Sequence, residues 1–304
     1  MLSLISTTLE LALIGSLTVL GLYLSYQTLN VCDLSTDGCF TLGACTAAVV
    51  ALKGYPLLAI PSAMLAGMIS GIIVSIMQTY LGINSLLSGI ILNTALYSVN
   101  IFIMGNSSLL NLNKAETIYT ITKQFFSESF MKPYSFLIVD LFFTLIVVLF
   151  LNWFLKTRIG LAIKATGDNP FMVEASSIDP RITTIIALCI SGSFTALSGA
   201  LLALSQKSVN IDIGSGMVTI ALASLLIGRI IYRKNRRIIN LICCVAGSII
   251  FRSIYALALR FNMPAYMLKL VSALIVAITI CVPYMKQQMP NILRKRAIAR
   301  GERS

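Results

Sequence analysis

Nine apolar runs, each bounded by charge or by Pro and Gly, divide the chain at 9–29, 39–52, 56–80, 83–104, 134–156, 182–205, 216–232, 238–259 and 264–283. About 20 apolar residues in helix cross a hydrocarbon core of about 30 Å, so the pattern predicts about nine membrane helices. The runs are solidly apolar and do not alternate with period two, which excludes a β-barrel. The second run has only 14 residues, too short to span alone. The Cys32 to Gly38 stretch before it is therefore expected within the membrane profile as non-helical backbone, a re-entrant segment. The resulting fold class is all-α and polytopic. Residues 1–285 form one membrane domain, with connections at 105–133 and 156–181, and residues 286–304 form a basic tail.

The starts of two runs resemble one another. Gly38-Cys39-Phe40-Thr41-Leu42 lies without gaps on Gly216-Met217-Val218-Thr219-Ile220, each with an Asp a few residues earlier, Asp33 and Asp212. The two helices would run in opposite directions, as inverted repeats do around a midplane pathway. Chance likeness between apolar segments is the competing explanation.

Composition agrees with the pattern: 57% hydrophobic, 11% charged and a mean hydropathy of +0.89, against about 45–50% and about 25% in soluble domains. The net charge of +12 would suggest nucleic acid in a soluble protein. Here 15 of the 23 basic residues fall in three segments on one side of the nine-crossing topology: Lys156 to Arg181, Arg229 to Arg237, and the tail from Lys286. Positive-inside topology and anionic lipid headgroups account for the surplus and no nucleic-acid partner is expected. The C-terminus is read as cytoplasmic. An odd number of crossings then puts the N-terminus outside, in keeping with the lack of Lys or Arg before Lys53. A signal peptide would need a basic start, which Met1 to Leu52 does not supply.

With no histidine, imidazole catalysis and His-containing metal sites are excluded. The seven cysteines show no C-x-x-C pair or metal-ligand spacing, and read as buried reduced thiols. No catalytic residue, metal or cofactor is expected.

Three groups of residues carry candidate chemistry. Asp33 and Asp37 flank a polar turn ending at Gly38, where they either cap the following helix or meet a solute. Asn93, Tyr97 and Asn100 share one helical face, fit either to line a pathway or to hold neighbouring helices. Between Lys156 and Arg181, Gly160 to Gly167 reads as a short helix that includes Lys164. A second begins after Asp168, with Asn169 as N-cap and Pro170 at the first position. Such a pair of short helices is either a docking element or a plain linker. Asp140, Arg252 and Lys269 lie within spans, and a structural pairing of Asp140 with Lys269 or Arg252 is expected.

The Gly160-Leu-Ala-Ile-Lys-Ala-Thr-Gly-Asp-Asn-Pro170 segment, with Glu174 beyond it, resembles the ATPase-contacting loop of bacterial ATP-binding-cassette importer permeases of the ribose and branched-chain amino-acid class. Asp33 to Gly43 and Ile90 to Gly105 resemble more narrowly the permeases that work with tryptophan- and tyrosine-type binding proteins. Cys39, Cys45 and Lys164 depart from that pattern. The resemblance implies a multi-pass protein of the bacterial plasma membrane, paired with a second permease subunit as a homodimer, with cytoplasmic ATPase subunits and an extracytoplasmic binding protein. It would place coupling on Gly160, Lys164, Gly167, Asp168, Asn169, Pro170 and Glu174, and the re-entrant turn on Asp33 to Gly38; with the helical face above, the pathway is expected beside Asp33, Asp37, Gly38, Asn93, Tyr97 and Asn100. The chain holds no Gly-Lys dipeptide and so no phosphate loop of the G-x-x-x-x-G-K-[ST] type, which leaves ATP hydrolysis to another polypeptide. A secondary transporter driven by an ion gradient is the alternative that the inverted likeness alone would equally suit.

Overall fold

The computed structural model describes residues 2–113, 115–125, 135–231, 237–260, 270, 272–279 and 281. Five long apolar runs become helices close to their expected bounds: α3 Ala59–Thr79, α4 Ser85–Ile103, α6 Ser135–Phe154, α9 Pro180–Gln206 and α11 Arg237–Arg260. The first run is α1 Leu2–Leu22, extended by a π-helical turn Tyr23–Thr28. Six helices are long and apolar enough to cross a membrane, and two shorter apolar ones, α2 Thr36–Leu52 and α10 Met217–Ile231, accompany them among the described residues. Eight of the nine expected runs are thus helices among the described residues, six of them of crossing length. At 1.5 Å per residue, the 15 residues of α10 extend about 22 Å; residues 232–236, which follow it, lie outside the described residues. Most of the ninth run, 264–283, lies outside the described residues.

α9 is the axis of the bundle, buried almost without interruption from Ser191 to Leu204. Small residues allow this: the site of a Cβ on Gly199 is occupied by the Phe40 carbonyl of α2, and that of a Cβ on Gly67 by Ala196 and the Gly192 carbonyl. Close backbone approach through small residues is the usual basis of helix association in lipid, where burial itself gives little driving force. Hydroxyls add cross-links. Ser191 Oγ donates to the Gly21 carbonyl at 2.8 Å and Ser198 Oγ to that of Ile14 at 2.6 Å, so α1 and α9 run antiparallel. Cys39 Sγ donates to the Gly192 carbonyl at 3.3 Å.

All seven cysteines are free. Cys39, Cys45, Cys243 and Cys244 are buried as expected, but Cys32 and Cys189 are half-buried and Cys281 is exposed.

Two ends of the bundle carry different structures. At one, α7 Arg158–Asp168 and α8 Pro170–Ala175 form a hairpin of short helices; at the other, β1 Leu109–Asn111 pairs antiparallel with β2 Ser208–Asn210, beside α5 Ile118–Phe125. α9 runs from the hairpin to β2, so the hairpin and the β1–β2 pair occupy opposite ends of the bundle.

Asp140 of α6 has a different partner from the one expected. The fully buried Tyr119 of α5 donates its phenolic O–H to Asp140 Oδ1, whereas Arg252 Nε has no hydrogen-bond partner among the described residues; Lys269 lies outside them. Burial first, and the Asp140 carboxylate second, push the Tyr119 pKa well above 10, which keeps the phenol a donor at neutral pH. Tyr119→Phe should leave Asp140 without this donor and cost about 1–3 kcal/mol, read as a fall of several degrees in melting temperature. Adding Asp140→Leu should restore much of the loss, since replacing both partners removes the unsatisfied acceptor. A single variant as stable as the parent would refute this account.

Candidate functional site

The re-entrant turn begins where α1 ends. Asn30 takes a left-handed conformation, φ 57°, and reverses the chain after the π-helical turn, so residues 31–35 run without helix toward α2. Asp33 is buried and accepts from Ser35 N at 2.8 Å and Ser35 Oγ at 2.6 Å. It orders the turn and is not among the residues lining the neighbouring cavity.

Asp37 does not cap its own helix. α2 begins one residue before it, at Thr36, with Ser35 as a cap that makes no side-chain bond. The Asp37 carboxylate instead reaches the start of α10: Oδ2 accepts from Gly216 N at 2.9 Å and Oδ1 from Val218 N at 2.8 Å. The expected local caps of Asp33 and Asp37 are thus corrected to an Asp33 turn and a long-range Asp37 cap. The free N–H groups that open a helix are the natural partners of a carboxylate, and α10 presents them directly opposite. Gly214 is needed at this junction, because a Cβ there would overlap the Asp37 carbonyl and the Thr41 hydroxyl. The two short helices therefore meet at their N-terminal ends.

Beside this junction lies a cavity of about 260 Å³, lined by Asp37, Gly38, Thr41, Asn93, Thr94, Tyr97, Asn100, Ile211, Asp212 and Ser215. Five of the six residues expected to form a pathway are brought together here; Asp33 is the exception. The α4 face is organised by burial: Asn100 is 1% exposed and Tyr97 51%. Asn100 Nδ2 donates to the Gly38 carbonyl at 3.3 Å, and a Cβ on Gly38 would press against Asn93 Oδ1. Thr41, Thr94, Ile211 and Ser215 are additions that the sequence did not single out. Asp212 was visible as the counterpart in the internal likeness but was not expected at the site.

The hairpin at the bundle end matches its expected local chemistry. Thr157 Oγ1 accepts from Gly160 N at 3.2 Å to cap α7, and Asn169 Oδ1 accepts from Phe171 N at 3.1 Å and Met172 N at 3.3 Å to cap α8, with Pro170 in first position. α7 runs one residue past Gly167, to Asp168. Four contacts fasten it to the bundle. Gly160 lies against the Phe154 carbonyl and Gly167 against that of Thr28, each too closely for a Cβ. Asn30 Nδ2 donates to the Gly167 carbonyl at 2.8 Å, and the Thr166 and Thr183 hydroxyls are 2.8 Å apart. Lys164, Asp168, Asn169, Pro170 and Glu174 are exposed. On α8, Phe171 is 81% and Met172 69% exposed, two apolar side chains that the expected set did not include, although a Phe-Met pair directly after a capped Pro was there to be noticed.

No group of three or more metal-ligating side chains occurs among the described residues. The arrangement is one of helix ends, amides and hydroxyls around a small cavity, suited to passage and not to bond chemistry.

Known proteins give the same direction. Residues 4–282 match the family model described as branched-chain amino acid transport system / permease component. A tyrosine transport system permease protein of Clostridioides difficile is 31% identical over 266 residues, covering 87% of this chain and 86% of that protein. A probable branched-chain amino acid transport permease protein, LivH, of Methanocaldococcus jannaschii is 27% identical over 206 residues, 64% of this chain and 63% of its own length. An uncharacterised protein of Rickettsia prowazekii is 31% identical over 280 residues, 90% of this chain and 95% of that one. No solved structure matches. The two named permeases are membrane subunits of transport systems and not enzymes, and the chain belongs to the permease family of branched-chain amino acid transport systems, the membrane-spanning component of ATP-binding-cassette transporters.

Proposed function

We propose that this chain is the permease subunit of an ATP-driven importer for a small solute, an amino acid of the aromatic kind, handed over by an extracytoplasmic binding protein. Two copies would enclose one pathway, with two ATPase subunits on the cytoplasmic side. The observation that carries the reading is the Asp37 cap on α10, which joins two short, oppositely directed helices at the wall of a polar cavity. Half-helices meeting at a midplane site are how many transporters place polar backbone inside a membrane, and this supports the inverted-repeat reading of the sequence. The tyrosine transport relative supports an aromatic solute.

In this reading the α7–α8 hairpin is the ATPase contact. Phe171 and Met172 supply the apolar surface, while Gly160, Lys164, Gly167, Asp168, Asn169, Pro170 and Glu174 shape and rim the hairpin. ATPase closure pushes it, the bundle rocks, and the path beside Asp37, Gly38, Asn93, Tyr97 and Asn100 opens outward, where the binding protein meets the 105–133 connection. The hairpin end, the C-terminus and the basic tail 286–304 then face the cytoplasm and the N-terminus faces outward.

Replacing Asp168, Asn169 and Pro170 together by Gly removes the α8 cap and its fixed first turn, a loss of about 1 kcal/mol or more in local order. ATP-driven uptake in proteoliposomes should fall at least tenfold, with more ATP consumed per solute imported. Coupling at the parental ratio would overturn the docking assignment. Uptake driven by an ion gradient without ATP would overturn the importer reading itself.

A further inference from the structure

We infer that the cavity between α2, α4 and the 211–216 turn selects its solute through a primary ammonium group, and that the side-chain carbonyl of Asn100 accepts the selecting hydrogen bond. The inference rests on the transport reading above and extends it from a pathway to a chemical criterion.

Asn100 lines the cavity yet is 1% exposed. Its Nδ2 is committed to the Gly38 carbonyl at 3.3 Å, which fixes which end of the amide remains for another partner. That end, Oδ1, is buried and has no hydrogen-bond partner among the described residues. Buried acceptors are nearly always satisfied, and an amide kept only to hold α4 against α2 would need its nitrogen alone. An acceptor held in reserve at a cavity wall calls for a donor that arrives with the solute.

The remaining wall says which kind of donor. Both Asp37 oxygens are engaged by Gly216 N and Val218 N, so Asp37 cannot turn to a solute without uncapping α10. Asp212 is the second carboxylate on the wall and is exposed; among the described residues no lining side chain is basic. An acidic wall with a spare acceptor favours a cationic N–H donor over an anion. Tyr97, three residues from Asn100 and half exposed, offers an aromatic surface to the rest of the molecule.

The test uses the full complex of permease and ATPase in nanodiscs, with three radiolabelled probes that share a phenol: tyramine, L-tyrosine, and 3-(4-hydroxyphenyl)propionate, which has no ammonium. The parent should bind tyramine and tyrosine at least tenfold more tightly than the propionate. Asn100→Leu should reduce tyramine and tyrosine binding at least tenfold and leave the propionate unchanged, while Asn100→Asp, which keeps an acceptor, should retain the ammonium preference. Equal binding of all three probes by the parent, no tyramine binding by the parent, or a uniform loss in Asn100→Leu would each overturn the inference. ATP-driven uptake by the parent, measured alongside, separates the two levels. Uptake with unaltered ammonium selectivity in Asn100→Leu sinks this inference alone, and absence of such uptake sinks the transport reading beneath it.

Discussion

Asp37→Ala is expected to abolish uptake and to lower the melting temperature of the purified permease markedly. The substitution deletes two charge-assisted bonds, to Gly216 N at 2.9 Å and Val218 N at 2.8 Å, each worth about 1.5–3 kcal/mol. It also leaves the opening N–H groups of α10 without an acceptor at a depth where bonding to water is restricted. Together these losses amount to about 3–6 kcal/mol, a large share of the stability of most proteins. Asp37→Asn should be milder, because the amide oxygen still serves one N–H. Thermal unfolding in detergent and uptake in proteoliposomes measure the two effects. Wild-type stability in the alanine variant would show that the cap is replaceable and remove the basis for placing the two short helices in one unit.

The second large effect is steric. Gly67→Val and Gly199→Val should each prevent the bundle from assembling, with little folded protein recovered from membranes. In both cases the added Cβ falls on backbone, the Gly192 carbonyl for Gly67 and the Phe40 carbonyl for Gly199. Backbone cannot swing aside as a side-chain tip can, so the penalty exceeds the about 1–3 kcal/mol of ordinary overpacking. Gly54→Asn is the matching control. Gly54 has open space around it and φ of 88°, and Asn is among the residues that tolerate a left-handed backbone. Its recovery should stay near that of the parent. Normal yields of the two valine variants would contradict the observed α3–α9 and α2–α9 spacing.

Much of the architecture was legible in the chain because apolar length is a direct measure of a crossing. The runs 56–80, 83–104 and 134–156 became α3, α4 and α6 with ends shifted by a few residues. The caps at Thr157 and Asn169 obey short-range rules, and of these the reading from residues identified Asn169. What was missed is non-local. An apolar stretch such as 216–232 does not reveal what its first turn meets; the polar 211–216 turn, wedged against Asp37, supplies that. Asp37 and Gly216 are separated by 179 positions, and nothing in local propensity favours that pair over a cap on the nearer helix. Asp140 drew a charged partner in expectation because ionic pairing is the common solution inside membranes. The phenol that it uses sits on α5, in a connection that carried no apolar-run signal.

The tie between Asn30 and the Gly167 carbonyl has a mechanical consequence. Asn30 stands seven positions before Asp37, and the stretch between them contains no helix until Thr36. The hairpin and the cavity wall are thus ends of one short strut, connected through the main chain itself and not only through the packed bundle. A displacement of α7 pulls on the segment that holds the cap of α10, so a substitution at Gly167 would register in solute kinetics even with every surface contact of the hairpin intact.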